Sequence, residues 1–107
     1  FEGKEIWRRS DLGPQIHIWG NASSPLPYAK GNTFIQLWGP GQSVFLVAVD
    51  ATSGKTIWKQ DLPEAQGKEA KHWYGSWATP VLRDNHGRDE VLIGLPKRLE
   101  AFDPLTG

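Results

Sequence analysis

The strongest constraint on the fold of this chain is an internal repeat with a period of about fifty residues. Three landmarks recur in the same order: residues 3–7 match 54–58, residues 20–26 match 75–81, and residues 47–54 match 100–107. The matched positions lie 51, 55 and 53 residues apart, so loops of different length absorb the differences. A unit that occurs in tandem predicts a repeat protein whose units stack on one another.

Each repeat divides into short strands separated by turns. The predicted strands cover residues 25–29, 33–38, 44–49 and 56–60, then 80–83, 90–94 and 98–102, with residues 5–9 as an earlier copy of the fourth strand. The turn residues are Lys30-Gly31-Asn32, Gly39-Pro40-Gly41 and Asn85-His86-Gly87. No segment carries apolar residues at helical spacing for three turns, because Gly and Pro interrupt each one. The chain is therefore predicted to be all-β.

Each repeat also contains a stretch that runs from an Asp to a Gly, first Asp50 to Gly54 and then Asp103 to Gly107. The Asp carboxylate can accept backbone N–H groups across such a turn, and the Gly can adopt the positive φ that closes it. A Ser or Thr before the Gly adds a side-chain hydrogen bond. We therefore interpret both Asp residues as structural rather than catalytic.

Four strands in a period near fifty residues are typical of one blade of a β-propeller. We predict about two four-stranded antiparallel blades, in which residues 1–12 end one blade, residues 19–62 form a blade and residues 73–107 form an incomplete next blade. The chain begins at Phe1 and stops at Gly107 in the middle of a repeat, so we expect a fragment of a longer propeller. One blade cannot bury both faces of its sheet, so the first partners expected are the remaining blades of the same propeller.

The second half of the repeat resembles a known family. Residues 48–58 read AVDATSGKTIW and closely resemble the repeat of pyrroloquinoline-quinone-type β-propellers, whose pattern is Ala-x-Asp-x-x-Thr-Gly-Lys-x-x-Trp. Ser53 stands at the usual Thr position, and Thr106 restores the Thr in the next copy. The resemblance covers essentially the whole chain. It implies that Trp7 and Trp58 pack between blades, against the turns that run from Asp50 and Asp103.

We consider three functional hypotheses, one of which is a generic structural propeller on a larger multidomain protein. Quinoprotein dehydrogenases hold the quinone and Ca²⁺ at the propeller axis, with a disulfide of adjacent cysteines and an Asp base. The chain has no Cys and no Trp-x-Trp-Asp segment. We therefore expect no cofactor and a non-catalytic scaffold resembling the outer-membrane protein assembly lipoprotein, in the periplasm or cell envelope of a bacterium or secreted from it. The alternative is a fragment of a quinoprotein dehydrogenase that oxidises alcohols or sugars.

Loops at one face of such a propeller are rich in aromatic and polar residues, which favour binding sites. The candidate binding rim consists of His17, Trp19, Asn21, His72, Trp73 and Trp77. It would bind a ligand or another protein. In the alternative interpretation, Trp19 and Trp77 fill space between blades, since large aromatic side chains are usually buried.

Two other motifs give weaker signals. His17 and His72, with Glu64 or Glu69, contain metal-ligating atoms, but their spacing is irregular and a zinc site normally has three or four ligands. Residues 84–90 faintly resemble a calcium loop, and a polar hairpin turn explains them better. We predict no metal site.

Charge and hydropathy exclude two classes of partner. The chain has 12 basic and 12 acidic residues, so no net field attracts nucleic acid or an anionic membrane. No apolar stretch reaches the roughly 18 residues that span a bilayer. We therefore expect no nucleic-acid partner and no membrane insertion by this segment.

Overall fold

The computed structural model describes residues 3–15, 17–41, 43–63 and 75–107. Its elements are β1 (Leu26–Tyr28), a 3-10 turn (Ala29–Gly31), β2 (Thr33–Trp38), β3 (Phe45–Asp50), β4 (Thr56–Asp61), β5 (Val81–Asn85), β6 (Arg88–Leu95) and β7 (Arg98–Phe102). The prediction of an all-β chain is confirmed. Over the described ranges, no helix is long and apolar enough to cross a membrane.

The strands form two antiparallel sheets, each in simple sequence order. The first sheet runs β1-β2-β3-β4 and the second runs β5-β6-β7. Each of these seven strands starts and ends within about two residues of its predicted bounds, which is the usual uncertainty of strand ends. The predicted strand over residues 5–9 is wrong, because this segment pairs with no strand of the described chain. A strand needs a hydrogen-bonding neighbour, and sequence pattern alone does not provide one.

The two sheets are built to the same register. The row Leu26, Ile35, Ala48 crosses the first sheet, and the row Val81, Leu92, Ala101 occupies the same positions in the second. We call the face that carries these rows the front face of each sheet, and the opposite face the back face. Because side chains alternate across a strand, the same register gives each sheet equivalent front and back positions.

The front face of the first sheet packs on the back face of the second. Ile35, Leu37 and Leu46 share one buried cluster with Val91 and Ile93 of β6. These five side chains are at most 1% exposed. At about 25 cal/mol per Å² of apolar surface, this cluster is the main source of stability that joins the two sheets.

The back face of the first sheet forms a second, smaller cluster. Phe45, Val47 and Val49 of β3 are buried there, and Trp7 and Leu12 pack against them from the N-terminal segment. β3 is thus buried on both faces, which explains its continuous apolar sequence. β3 therefore lies between the second sheet on its front face and the N-terminal segment on its back face.

Candidate functional site

The two sheets are joined by the side chain of Trp58, whose ring packs against a turn that follows the second sheet. The Trp58 side chain is 8% exposed, and its Nε1 donates a hydrogen bond of 3.0 Å to the carbonyl oxygen of Pro104. The ring lies on Gly107, where a β-carbon would come within 2.9 Å of the Trp58 Cε3 atom. Gly107 has a φ of +78°, so the position favours Gly for its backbone as well as for its size. We call this arrangement the Trp58 socket.

The same arrangement occurs 51 to 53 residues earlier in the chain. Trp7 Nε1 donates a hydrogen bond of 2.9 Å to the carbonyl oxygen of Ala51. The Trp7 ring lies on Gly54, where a β-carbon would meet its Cδ2 and Cε3 atoms at 2.7 Å. Gly54 has a φ of +71°. Trp7 and Trp58 therefore make equivalent contacts with their turns, and we call the arrangement around Trp7 the Trp7 socket.

In each socket, an Asp side chain stabilises the turn on which the tryptophan ring lies. Asp50 Oδ1 accepts hydrogen bonds from the backbone N–H groups of Thr52 and Ser53 and from the Ser53 hydroxyl, at 3.0, 2.7 and 2.8 Å. These bonds, first of all the one from the Ser53 side chain, lower the pKa of Asp50. Asp103 Oδ1 accepts bonds from the backbone N–H groups of Leu105 and Thr106. Both carboxylates are used within their own turns.

Three residues of the candidate binding rim form a compact aromatic cluster. The ring centroids of His17 and Trp77 are 5.0 Å apart, and those of the His17–Trp19 and Trp19–Trp77 pairs are each 5.5 Å apart. Trp77 Nε1 donates a hydrogen bond to the Gly20 carbonyl oxygen, which ties this cluster across the two repeats. His17 is buried and its Nδ1 accepts a hydrogen bond from the backbone N–H of Trp19, whereas Trp19 is 56% exposed. Trp19 therefore presents the exposed surface of the cluster, and His17 and Trp77 support it from below.

Asn21, the fourth described rim residue, lies outside the aromatic cluster and binds backbone groups of its own sheet. Its Nδ2 donates to the Leu37 carbonyl oxygen at 3.1 Å, and its Oδ1 accepts the Ser23 N–H at 2.9 Å. At the matching position of the next repeat, the Ser76 hydroxyl donates to the Gly94 carbonyl oxygen and accepts the Ala78 N–H. Each side chain fastens the segment before the first strand to the second strand of its sheet.

The sequence analysis missed Ser76 as the partner of Asn21 in this role. The available signal was their alignment: each lies four residues before the proline that precedes the first strand, Pro25 or Pro80. Short polar side chains at such positions commonly bind nearby backbone groups. The remaining rim residues, His72 and Trp73, lie outside the described residues.

A charged bridge joins the sheets at one edge. The Tyr28 hydroxyl donates to Asp89 Oδ2 at 3.0 Å, and Lys30 Nζ lies 2.6 Å from the same oxygen. The Lys30 and Tyr28 bonds lower the pKa of Asp89, while burial and the Asp89 bond raise the pKa of Tyr28. Lys30 is mostly exposed, so this bridge orients the sheets more than it stabilises them.

Two open grooves run along the back face of the first sheet. The more apolar groove has a volume of about 330 Å³ and is lined by Trp7, Leu12, Pro25, Phe34, Gln36, Val47 and Val49, with Arg9 at its edge. The larger has a volume of about 600 Å³ and adds charged groups, including Asp11, Lys59 and Asp61. This face therefore offers an apolar floor with charges along one side.

The two weaker sequence motifs were the polar stretch at residues 84–90 and the candidate metal ligands around His17. Residues 84–90 form the hairpin between β5 and β6, and Asp84 Oδ1 accepts the Gly87 N–H at 2.6 Å. Of the side chains considered as metal ligands, His72, Glu64 and Glu69 lie outside the described residues. Among the residues that the structure describes, no three His, Asp or Glu side chains gather closely enough to hold a metal ion.

Comparisons of the chain with protein-family models, with curated proteins and with solved structures found no match.

Proposed function

We propose that the two sheets are successive blades of a β-propeller of the pyrroloquinoline-quinone-like repeat type. In this proposal the chain is part of a rigid, non-catalytic scaffold that binds a ligand or another protein in an exported bacterial protein. The observation that carries the proposal is the pair of equivalent tryptophan sockets, one built by Trp7 and the other by Trp58. If every repeat makes this contact with the next one, the same contact can join any number of repeats.

The packing of the sheets supports the same proposal. The front face of one sheet meets the back face of the next, so the contact is head-to-tail rather than symmetric. A head-to-tail contact can be repeated from unit to unit, and it gives a ring where the rotation between units closes. Ser24 and Thr79, which occupy matching positions, also touch through a hydrogen bond of 3.0 Å from the Ser24 N–H to the Thr79 hydroxyl. In a propeller the first strand of each blade lies beside the central axis. Residues at the same position of neighbouring blades are therefore expected to come into contact there.

The aromatic cluster supports the binding part of the proposal. His17 and Trp77 fix Trp19 in place, and an exposed, immobilised tryptophan gives a large contact area at little entropic cost. Loops held by a rigid sheet are the usual place for such surfaces. The Asp residues of the sockets are already used within their turns, and this agrees with a scaffold rather than an enzyme.

The decisive experiment is the structure of the full-length polypeptide that contains this chain, together with its absorption spectrum after incubation with the quinone and Ca²⁺. We expect a closed ring of sheets with a tryptophan socket at each junction, no quinone absorption and no dye reduction. An open stack of sheets would contradict the propeller. Quinone-dependent dye reduction would replace the scaffold by the dehydrogenase.

A further inference from the structure

We infer that Ile18 and Trp19 form a docking site for a partner protein, which receives the two side chains in an apolar pocket on its own surface. We call these two residues the apolar tip. The inference rests on the proposed function, because it takes the chain as a rigid scaffold whose loops carry the binding surface. It goes further by naming the class of partner and the side chains that anchor it.

The apolar tip lies at one end of both sheets. Asn21 and Ser76 fasten the segments before the two sheets to β2 and β6, near the residues at which those strands end. Trp77 Nε1 joins the two segments by its hydrogen bond to the Gly20 carbonyl oxygen. In a propeller the sheets cover one another's faces, whereas the loops at the ends of the strands remain at the surface. The tip therefore lies where the stacking of further sheets leaves it exposed.

Ile18 and Trp19 are the two central residues of a tight turn. The Gly20 N–H donates to the His17 carbonyl oxygen at 2.9 Å, and this bond closes the turn. Ile18 is 73% exposed and Trp19 is 56% exposed. Single apolar residues scattered over a surface need no explanation, but a contiguous exposed pair that includes a tryptophan is typical of contact sites.

The apolar tip is held in place before any partner arrives. The Trp19 ring lies 5.5 Å from the rings of His17 and Trp77, centroid to centroid, and its backbone N–H donates to His17 Nδ1 at 3.2 Å. A side chain that is already fixed loses little conformational entropy when it is bound. Tryptophans with packed surroundings are the residues that most often dominate the binding energy of protein interfaces.

The chemistry around the tip favours a protein over a small polar ligand. His17 Nδ1, Trp77 Nε1 and the Asn21 side-chain amide all bind backbone groups nearby. A sugar or another small ligand needs such polar groups to orient it, and it binds in a concave pocket. The tip is instead a projecting turn with an apolar surface, so it fits into a pocket on its partner. The zero net charge of the chain gives no attraction to an anionic membrane.

The test is site-specific photo-crosslinking of the full-length polypeptide that contains this chain, in the cells that produce it. The photoreactive residue p-benzoylphenylalanine replaces Ile18 in one variant and Leu105 in the control. Leu105 is 53% exposed but belongs to the turn between Asp103 and Gly107. We expect a discrete protein adduct from position 18 that position 105 does not give.

The protein found in this adduct, once purified, becomes the probe for a binding measurement. We expect Trp19→Ala to raise its dissociation constant about thirtyfold or more and Ile18→Ala to raise it about fivefold, since each variant removes an anchoring side chain. Leu105→Ala should leave the dissociation constant unchanged within about twofold. Circular dichroism of each variant checks that it is folded.

Two results would overturn this inference: no protein adduct from position 18, or an adduct whose affinity neither tip variant weakens. Binding to phosphatidylcholine vesicles that Trp19→Ala abolishes would replace the protein partner by a membrane surface, and such binding of cellohexaose would replace it by a saccharide. The proposed function is judged separately. A closed ring of sheets without quinone chemistry but with an inert tip rejects only the docking site, whereas an open stack rejects the propeller itself.

Discussion

The two tryptophan sockets have the same parts in different settings. Trp58 belongs to β4, which is paired along its length, and its ring joins the core between the sheets. Trp7 belongs to a segment without strand pairing, and its ring is half-buried at the edge of the smaller cluster. Each ring nevertheless binds the equivalent carbonyl oxygen and lies on the equivalent glycine of its own turn. The turn and the ring alone are enough to form the socket, whereas the stability gained from it depends on whether the segment that carries the ring is paired in a sheet.

Removing the two rings should give the largest effect and the sharpest contrast. We expect Trp58→Ala to lower the free energy of unfolding by about 3–5 kcal/mol, because it empties a buried site between the sheets. Trp7→Ala should cost about 1–2 kcal/mol, since its ring is already partly in solvent. Urea unfolding followed by circular dichroism measures both. Equal losses would mean that strand pairing adds nothing to the socket.

A methyl group placed between each tryptophan ring and its glycine tests whether the two rings pack equally closely on their turns. We expect Gly54→Ala and Gly107→Ala each to cost about 1–3 kcal/mol, because the new methyl group meets a ring and the backbone has positive φ. Gly87 has a φ of +87° with nothing near its β-carbon position, so Gly87→Ala measures the backbone part alone. Thermal unfolding of the three variants separates the two costs. If all three lose the same stability, the rings do not rest on the glycines.

Asn21 and Ser76 hold the start of the first and the second sheet in equivalent ways, so they can be compared as the two tryptophans are. Asn21→Ala should cost about 1–2 kcal/mol, because it removes the acceptor of the Ser23 N–H and leaves the Leu37 carbonyl oxygen with Gln36 Nε2 as its side-chain donor. Asn21→Ser should cost less, since Ser76 makes both bonds with a single hydroxyl. Chemical denaturation of both variants is the measurement. A Ser as damaging as the Ala would show that the two positions are not interchangeable.

The smallest effect concerns the Asp50 turn and appears only in acid. The pKa of Asp50 is lower in the folded chain than in the unfolded one, because Ser53 and the turn backbone bind its charged form. This stabilisation is complete above the ordinary aspartate pKa of about 4 and is lost as the pH falls through the lower folded-state value. Asp50→Asn should therefore flatten the fall in stability below pH ~4.

The control for this acid effect is Ser53→Ala, which removes the hydroxyl donor and keeps the carboxylate. Unfolding scans from pH 2 to 6 compare both variants with the unmodified chain. Ser53→Ala should lie between the other two curves. Identical curves for all three would mean that the Asp50 hydrogen bonds do not distinguish the folded from the unfolded state.

The sequence was enough to predict what local chemistry decides. The internal repeat and the turn residues predicted seven strands that the structure contains, and the Asp-to-Gly stretches predicted turns that it also contains. Residues 5–9 carry the same local pattern as β4 but form no strand, because pairing depends on a neighbour and not on the pattern. Asn21 was assigned to the binding rim for its side-chain type, yet its amide is used by Leu37 and Ser23. The aromatic cluster depends on a contact between His17 and Trp77, which lie 60 residues apart, and no local rule predicts it.

The placement of each indole on the turn of the following unit sets where this polypeptide can be divided. A cut at residues 63–75, between the sheets, would separate Trp58 from the Pro104 carbonyl oxygen that receives it. A cut at Lys55, in the turn between β3 and β4, leaves each ring on the same piece as the turn that receives it. Fusions, permutations and exchanges of units should therefore be joined inside a hairpin. The exchangeable building block is a sheet together with the ring it receives, and its borders differ from the borders of the sheet itself.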